Sequence, residues 1–384
     1  MKMVANPLDS PRISAVEVCL CRNHYCHKFV IWVLAAAVGL GSWMTDPSLA
    51  VGIQEDANSR KAVEQALPYL AKESASWIAQ RGCVSCHRVS FMIWSHNEAA
   101  ARGFSVDRSQ LDATTNWAFT SMLSDRSEFG GADTISQMLL GRDTKSAWRK
   151  KPPRHFKSSD PYETLFEILL ERQRADGSWP PEGQLTTPAE ISTGWALLAL
   201  ASFVDPAAVA SEKLDPARDL TDELAEQIQR SRQQQGECQL KGMAYLATVD
   251  PHPTHEGLLL RFMCSDLADL PVRTELHRQV LARQNVDGGW SNRFDQSESD
   301  AFATGQTLYA LSVSRIPTDQ DVIDKARAFL IGSQQPQGHW LVPADRIRDR
   351  ARRDSVDEIF SYWGTAWATI GLLQTLPENN ASEK

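Results

Sequence analysis

The sequence predicts an all-α protein whose helices form six pairs, and three observations support this fold class. From residue 62 onward, apolar residues recur with helical spacing and no convincing alternation typical of strands. A unit made of a Gln–Gly–Trp turn and an apolar helix occurs at 173–200 and again at 284–311. Trp179 to Thr193 and Trp290 to Thr304 both span 14 residues. Such agreement indicates a repeat architecture.

The helical pattern divides into twelve segments, with a shorter helix also compatible with 238–248. In each pair the more polar helix is expected to face solvent and the apolar one to be buried. Pairs of this kind stack, and six of them can close into a ring. The predicted helices lie near 62–80, 88–102, 107–123, 131–141, 160–174, 189–203, 215–232, 253–268, 273–284, 299–314, 319–334 and 357–376.

The Gln–Gly–Trp turns resemble the repeat of the squalene–hopene cyclase and protein prenyltransferase β-subunit superfamily. The resemblance implies an (α/α)6 toroid of the terpenoid cyclase/prenyltransferase type, and the chain length suits one such domain. It is clear over 161–376, and weaker helix pairs extend it to residue 62. In that family the Gln and Trp tie one helix end to the next. The matching pairs are Gln173 and Trp179, Gln284 and Trp290, and Gln334 and Trp340.

Bulk composition restricts the class of protein. The 384 residues are 42% hydrophobic and 23% charged, which suits one large or two modest globular domains. A net charge of −8 argues against nucleic acid as the main partner. A mean hydropathy of −0.35 argues against a polytopic membrane protein.

The N-terminus has the pattern of a secretory signal. A mildly basic stretch precedes an apolar run at 29–44, and Ser48-Leu49-Ala50 offers a cleavage site. We therefore expect a signal peptide at 1–50, a linker at 51–61, the ring at 62–376 and a tail at 377–384. Export to the periplasm or cell envelope follows from this prediction. An uncleaved anchor through 29–44 or peripheral membrane contact is the alternative, although a span needs about 20 residues.

The first repeat carries Cys83-x-x-Cys86-His87 where the other copies carry Asp-Gly-Trp. This is the attachment signature of c-type haem, in which both thiols bind the porphyrin and the His ligates iron. We predict covalent haem c in the segment 80–96. A disulfide or redox pair lacks the expected βαβ context, and half a zinc site lacks a second ligand pair. Cys238 and Cys264 can be free thiols or a disulfide in an exported protein.

The sixth iron ligand stays open in the sequence. Met92 and His96 share a helix with His87 and can hardly approach the opposite face of the haem. Met122 or Met138, on the next pair, is geometrically easier. For each Met, core filling is the competing interpretation, and a pentacoordinate iron is a further alternative.

The resemblance also predicts where a cyclase acid belongs. Cyclases of this family carry Asp-x-Asp-Asp-Thr-Ala, whose central Asp protonates an alkene. Aligned on Thr304, only Asp300 is kept, and Phe302 stands at the proton-donor position. Asp300 is thus a weak catalytic candidate. The zinc-binding Cys of the prenyltransferases is also missing there.

Three polar residues of the degenerate fourth repeat form a second candidate cluster: His252, His255 and Glu256. Aligning Thr254 with Thr304 places them at an inner-helix end, where a metal site competes with an ordinary polar helix start.

Aromatic residues on the inner helices imply a central cavity for an isoprenoid or quinone-like ligand, with core packing as the alternative. They are Trp195, Tyr309, Tyr362, Trp363 and Trp367. An Arg-rich loop at 345–354 is expected near the haem loop, where guanidinium groups can pair with propionates; an ordinary solvated loop is the alternative.

The sequence thus favours an exported c-type haem protein that transfers electrons or oxidises a small apolar ligand, with an unidentified redox partner. The alternatives are a squalene or terpenoid cyclase-like enzyme, and a non-catalytic isoprenoid-binding or scaffold module.

Overall fold

A computed structural model describes residues 47–82, 84, 88–124, 131–142, 160–180, 188–203, 222–343 and 350–377. Within these ranges the chain is helical, apart from isolated bridges between loop residues. Six pairs of helices follow one another. They are α1 Pro47–Arg81, α2 Val89–Ala101, α3 Arg108–Ser124, α4 Ala132–Leu140, α5 Pro161–Glu171, α6 Ala189–Ser202, α7 Asp222–Thr248, α8 His255–Leu267, α9 Arg273–Leu281, α10 Ala301–Val313, α11 Gln320–Ser333 and α12 Arg350–Gln374.

The even-numbered helices form a closed inner ring. Each contacts the next along the chain, and α12 packs against α2. The odd-numbered helices form the outer layer. Each packs against the inner helix that precedes it, and α1 takes the same place against α12. The predicted all-α (α/α)6 toroid is therefore confirmed.

Burial explains why the inner helices are apolar on all sides. In α10 all residues from Ala301 to Leu311 are buried, whereas in the outer helix α9 only His277 and Val280 are. A helix that is hydrophobic all round is one enclosed by its neighbours. The sequence pattern thus assigned each helix to its layer.

The repeat turns connect neighbouring outer helices. Gln284 Nε2 donates to Gly288 O within its own turn and to Val322 O in α11, both at 2.9 Å. The buried Trp290 donates its ring N–H to Val280 O at 2.8 Å and its backbone N–H to Thr304 Oγ1 at 2.9 Å. The same contacts recur for Gln173 with Cys238, Gln334 with Ala62, Trp179 with Leu169 and Thr193, and Trp340 with Leu330 and Thr365. We call each such arrangement a latch.

Each latch requires glycine because the turn lies very close to the backbone of the next outer helix. Gly288 has a φ of +90°, and a Cβ there would lie 2.4 Å from Lys325 O. Gly338 has a φ of +86°, and its Cβ would lie 2.0 Å from Gln65 O. Since Gln65 belongs to α1, the latch of the sixth pair docks on the first and closes the ring.

The first pair departs from this pattern. Gln80 is exposed and its amide donates to Ser76 Oγ within α1. Gly82 has a φ of +61°, but a Cβ there would meet no atom within 4 Å. In the described part of this turn, neither Gln80 nor Gly82 makes the contact with the next outer helix that the other three latches make. Cys83, Cys86 and His87 lie outside the described residues.

Three boundaries differ from those predicted. Helix α1 includes 51–61, predicted as a linker, because Asp56 and Ser59 bind Arg327 of α11. Helix α7 is one continuous helix where separate segments at 215–232 and 238–248 were predicted, and Gly242 in its later part packs against Leu197 of α6. Helix α12 begins at Arg350, within the predicted Arg-rich loop.

None of the helices among the described residues is both long and apolar enough to cross a bilayer. The apolar run at 29–44 lies outside those residues, so the predicted signal or anchor stays a prediction. Cys238 and Cys264 are both buried free thiols, which excludes the disulfide considered from the sequence. Burial raises the pKa of Cys264 to about 12.

Candidate functional site

A cavity of about 50 Å³ lies at the centre of the ring, and all six inner helices contribute to its wall. Most contributing residues lie in the first turn of their helix, so the cavity is at the end of the ring where the inner helices begin. Its lining consists of Phe91, Asp133, Gln137, Ile191, Trp195, Glu256, Phe302, Trp363 and Trp367.

Helix-cap geometry places Glu256 at the same repeat position as Phe302. Thr254 caps α8 with φ, ψ of −128°, 159°, and its side chain accepts from Gly257 N. Asp300 caps α10 with φ, ψ of −132°, 159°, and its side chain accepts from Ala303 N. Each cap is followed two residues later by a residue that lines the cavity. Thr254 therefore corresponds to Asp300 and not to Thr304, which is a shift of four residues from the sequence-based alignment.

The correspondence of Thr254 with Asp300 makes Glu256 the residue of α8 that is equivalent to Phe302. Phe302 occupies the position at which the resembled cyclases place their proton-donating acid. The fourth inner helix supplies a carboxyl at that same position, Glu256. The sequence comparison missed it because the fourth repeat lacks the Gln–Gly–Trp turn that fixes the register elsewhere.

The Glu256 carboxyl is held at one oxygen. Its Oε1 accepts a hydrogen bond from Trp195 Nε1 at 3.0 Å and another from Gln306 Nε2 at 3.2 Å. The side chain keeps some accessibility toward the cavity although it lies deep inside the ring. Burial raises the pKa of this carboxyl above its usual value, and the two hydrogen bonds oppose that shift.

Both donors use Oε1, and no hydrogen bond to Oε2 occurs among the described residues. In the neutral acid the oxygen that accepts hydrogen bonds is the carbonyl oxygen, so the proton belongs on Oε2. When the carboxyl is protonated, this geometry therefore assigns the proton to Oε2.

A second carboxyl, that of Asp133, lines the same cavity. It lies in the first turn of α4, where the helix dipole favours a negative charge. Gln137, one turn later, also lines the cavity. Its Oε1 accepts from Ser90 Oγ at 2.5 Å, which orients the amide.

The structure gives Asp300 a capping role. Its Oδ1 accepts from Ala303 N at 2.7 Å, and its Oδ2 accepts from Asn292 N at 2.9 Å. It is not part of the cavity wall. The weak catalytic candidate from the sequence therefore stabilises the start of α10.

The predicted cluster of His252, His255 and Glu256 does not converge. His252 Nδ1 lies 2.9 Å from Thr254 Oγ1, and His255 Nε2 lies 2.7 Å from Thr307 Oγ1, whereas Glu256 faces the cavity. Burial, with a smaller effect from Arg283, lowers the pKa of His255 to about 3. Across the described ranges, no group of three His, Cys, Asp or Glu could hold a metal ion.

The candidate haem ligands are all buried. Met92 and His96 lie on α2, Met122 on α3 and Met138 on α4. His96 Nδ1 lies 2.9 Å from Met92 O, and burial lowers the pKa of His96 to about 4 despite hydrogen bonds to backbone groups. Met122 is near the end of α3 that faces the cavity side, whereas Met138 is near the opposite end of α4. The Cys83-x-x-Cys86-His87 motif itself lies outside the described residues, so the sixth ligand stays a prediction.

Of the predicted cavity aromatics, Trp195, Trp363 and Trp367 line the cavity. Tyr309 packs against Trp94 and Trp367 at 5.4 and 5.6 Å between ring centroids. The buried hydroxyl of Tyr362 donates toward Leu70 O and Arg88 O, at 3.2 and 3.0 Å. These two tyrosines therefore fill the core, as the packing alternative expected. Residues 344–349 lie outside the described ranges, so the contact of the Arg-rich loop with haem propionates stays a prediction.

No family model and no curated protein matches the chain. Solved structures resemble it at low identity. A variant of the type II terpene cyclase MstE from Scytonema, in complex with geranylgeranyl dihydroxybenzoate, is 12% identical; the match spans 84% of this chain and 98% of that one, with a TM-score of 0.45. A possible member of the GH105 family from Klebsiella pneumoniae is 13% identical over 91% of this chain and 99% of its own, with a TM-score of 0.47.

Proposed function

We propose that the protein is an acid-dependent, cyclase-like enzyme that protonates an alkene of an isoprenoid substrate, with Glu256 as the proton donor. One observation carries this proposal: the Glu256 carboxyl lies in an aromatic cavity at the centre of the ring, with its pKa raised and one oxygen fixed by hydrogen bonds. An alkene is a weak base, so a neutral carboxylic acid shielded from water suits the task.

The proposed step balances without a further reactant. The O–H bond at Glu256 Oε2 breaks, and its proton forms a C–H bond with one alkene carbon. The other alkene carbon becomes a cation, which a second alkene of the same molecule captures to close a ring. The cation then loses a proton from carbon to solvent, which yields an isomer of the substrate, and Glu256 regains a proton from solvent.

The surroundings of Glu256 support charge separation in this step. When the proton leaves, Trp195 and Gln306 stabilise the new carboxylate through the hydrogen bonds already in place. Aromatic rings of the wall can stabilise the carbocation by cation–π attraction. Both groups are positioned before the reaction begins.

The cavity volume limits the size of the substrate group that can lie beside Glu256. A water-sized sphere needs about 10–15 Å³ of such volume, so 50 Å³ accommodates about one isoprene unit. We therefore propose that the terminal unit of a linear isoprenoid enters the cavity and that the remainder of the chain lies outside it.

The test is turnover of linear isoprenoid alkenes, squalene among them, in heavy water. The purified protein should release a cyclised isomer that carries deuterium introduced at the protonated carbon. Glu256→Gln should abolish the product, and the matched control Glu298→Gln, at an exposed site, should retain it. A cyclised product formed equally by Glu256→Gln would exclude Glu256 as the donor.

The second candidate function is that of an exported c-type haem protein. It is favoured by the sequence of the first turn, in which Gly82 leads into Cys83-x-x-Cys86-His87, and by Gln80, whose amide donates to Ser76 within its own helix and not to a neighbouring outer helix. Cys83 and Cys86 would bind haem through thioethers and His87 would ligate iron, which would supply one-electron chemistry. His96, Met122 and Met138 remain the proposed candidates for the sixth ligand.

Covalent haem is tested by expressing the full chain in a host that exports and matures c-type cytochromes. The denatured protein should give a pyridine haemochrome spectrum, and Cys83→Ala with Cys86→Ala should remove it. Cys238→Ala, at a buried free thiol, is the control. A wild-type chain without covalent haem under these conditions would rule the candidate out, along with its proposed periplasmic redox role.

A further inference from the structure

The amide of Gln137 offers hydrogen-bond donors to the central cavity. This residue of α4 lines the cavity and is only 7% exposed. Its Oε1 accepts the hydrogen bond from Ser90 Oγ at 2.5 Å, whereas its Nε2 makes no hydrogen bond across the described ranges. Buried polar groups in proteins are nearly always hydrogen-bonded. The two N–H groups of this amide therefore indicate a ligand that accepts hydrogen bonds.

The contact with Ser90 determines which end of the amide faces the cavity. A separation of 2.5 Å is in the range of O–H···O hydrogen bonds and is too short for N–H···O. Ser90 is fully buried, and its hydroxyl has no second acceptor among the residues that the structure describes. Rotating the amide by half a turn would leave the Ser90 hydrogen without an acceptor. The carbonyl of Gln137 thus lies toward Ser90, and its NH₂ group lies toward the cavity.

The wall around this NH₂ group is largely apolar. Five of the nine lining residues are aromatic, and Ile191 is a sixth apolar one. Trp195 and Trp367 stack with ring centroids 5.4 Å apart, and Phe302 lies 5.9 Å from Trp363. Ligand sites commonly combine such a wall with a few polar groups that orient the ligand. A matching ligand is apolar except at the atom that meets Gln137.

The free end of the Gln137 amide can donate but cannot accept. Its complement is an oxygen with lone pairs. A carbonyl oxygen accepts hydrogen bonds and brings no hydrogen of its own. A hydroxyl would bring a hydrogen that needs an acceptor within a largely apolar wall, and burying it without one costs free energy. The geometry therefore favours a carbonyl group.

We propose that the central cavity binds a compact, branched carbonyl group, such as a small ketone or the carbonyl-bearing end of a longer chain. Gln137 donates to its oxygen, Ser90 orients the amide, and the aromatic rings enclose its alkyl groups. A volume of about 50 Å³ restricts the bound group to about the size of one isoprene unit. No proton transfer from Glu256 is required, so this site does not depend on the proposed cyclisation.

The test compares two ligands of nearly equal shape, 3-methylbutan-2-one and 2,3-dimethylbut-1-ene, which has a CH₂ group in place of the carbonyl oxygen. Calorimetry measures the affinity of both ligands for the wild type and for Gln137→Met, which has a side chain of similar length and no donor. The ratio of ketone affinity to alkene affinity should fall by about tenfold in the variant, a change of about 1.4 kcal/mol. Comparing ratios cancels the difference in hydration of the two ligands. An equal ratio in both proteins, or no binding of the ketone to the wild type, would overturn the proposal.

Infrared spectroscopy of the bound ketone separates a hydrogen bond from a change in cavity shape. A hydrogen bond to the carbonyl oxygen lowers its C=O stretching frequency. The band should therefore lie at lower frequency in the wild type than in Gln137→Met. Ser90→Ala, which frees the amide to rotate, should broaden the band and lower the affinity ratio by less than Gln137→Met does. A band at the same frequency in wild type and Gln137→Met would show that Gln137 does not donate to the ligand.

Two variants control for the shape of the wall and for the surface. Trp367→Phe alters the wall but leaves the Gln137 amide in place, so it should keep the ketone-to-alkene ratio of the wild type. Glu298→Gln, at an exposed site, should leave both affinities unchanged. Circular dichroism confirms that each variant keeps its helices. A loss of the ratio in Trp367→Phe as large as in Gln137→Met would assign the preference to cavity shape and refute the proposal.

Failure of this proposal is separable from failure of the proposed enzymatic function. A protein that cyclises isoprenoid alkenes, but has the same affinity ratio with and without the Gln137 amide, would refute only the carbonyl site. A protein that prefers the ketone through Gln137, but releases no deuterated isomer, would refute only the cyclisation.

Discussion

The role proposed for Glu256 depends on its position in the ring. In sequence it is a polar residue just after Pro253-Thr254-His255, where a charged helix start is the simplest interpretation. In the ring it is the carboxyl that stands at the repeat position held by Phe302 in α10. The cap geometry of Thr254 and Asp300 establishes that equivalence.

The pKa of Glu256 predicts a pH-dependent stability. Its folded-state pKa is raised, so its contribution to stability is present below the unfolded-state value and is lost as pH rises through the folded-state value. Glu256→Gln should therefore match the wild type near pH 4 and become more stable than it toward neutral pH. Thermal unfolding across pH measures the difference. Glu298→Gln serves as control, and a difference independent of pH would contradict the prediction.

The Trp195 hydrogen bond predicts a further shift. It opposes the rise in the pKa of Glu256, so Trp195→Phe should move the midpoint of the pH-dependent stability loss to higher pH. Trp367→Phe, which changes the cavity wall without removing a donor to Glu256, is the matched control. The same unfolding series measures both. Equal midpoints in the two variants would show that the hydrogen bond does not set this pKa.

At the scale of elements, the latch explains why Gln, Gly and Trp recur. Gln284 donates hydrogen bonds to its own turn and to the next outer helix, and Gly288 lets the turn lie close to that helix. Trp290 is hydrogen-bonded to both helices of its own pair. These residues could be read from the sequence because each contact is made by a fixed residue type at a fixed spacing.

The latch predicts unequal effects of the same substitution. Gln284→Ala removes hydrogen bonds to two backbone carbonyls and should lower the free energy of unfolding by about 1–3 kcal/mol. Gln80→Ala removes only an exposed contact with Ser76 and should change it by less than about 0.5 kcal/mol. Denaturant unfolding compares them. Similar losses of unfolding free energy in the two variants would show that Gln80 also connects two outer helices.

Glycine substitutions test the docking itself. Both Gly338→Ala and Gly82→Ala place a side chain at positive φ, which costs about 1–2 kcal/mol. Only at Gly338 would the new Cβ also clash with Gln65 O. We therefore expect Gly338→Ala to destabilise the protein by clearly more than Gly82→Ala, measured by denaturant unfolding. Equal costs would mean that the sixth latch is not closed against α1.

At the scale of the whole molecule, the ring closes through contacts between the first and last pairs. Arg327 of α11 donates to Asp56 Oδ1 at 2.6 Å and to Ser59 Oγ at 3.0 Å, and Gln334 donates to Ala62 O at 2.9 Å. These contacts explain why 51–61 is helical. The sequence could not predict this, because the partners of those residues lie some 270 positions away.

Because the ring is closed between α11 and α1, a substitution in α11 should also destabilise α1. Arg327→Met should lower the free energy of unfolding by about 1–3 kcal/mol, because it removes buried hydrogen bonds to α1. Hydrogen exchange should rise in α1 as well as in α11. Lys325→Met, which breaks an exposed ion pair within the same helix, should leave exchange in α1 unchanged. A rise confined to α11 would contradict closure through Arg327.

The sequence predicted the fold better than the site. Repeats with intact Gln–Gly–Trp turns carry their own register, so Trp195, Trp363 and Trp367 were correctly placed at the cavity. The fourth repeat lacks such a turn, so Thr254 was aligned with the wrong residue and Glu256 was not recognised as equivalent to Phe302. Asp300 caps α10, and the sequence could not separate capping from catalysis because both use a carboxylate at a helix start.

The most direct test of the central claim is the protonation state of Glu256. Difference infrared spectroscopy of wild type against Glu256→Gln reports the C=O stretch of a neutral carboxylic acid, at pH values where an exposed glutamate is ionised. We predict that the wild type shows this band and that it disappears in Glu256→Gln but not in Glu298→Gln. A wild-type spectrum without the band, with Glu256 ionised throughout that range, would contradict the proposal that Glu256 is the proton donor.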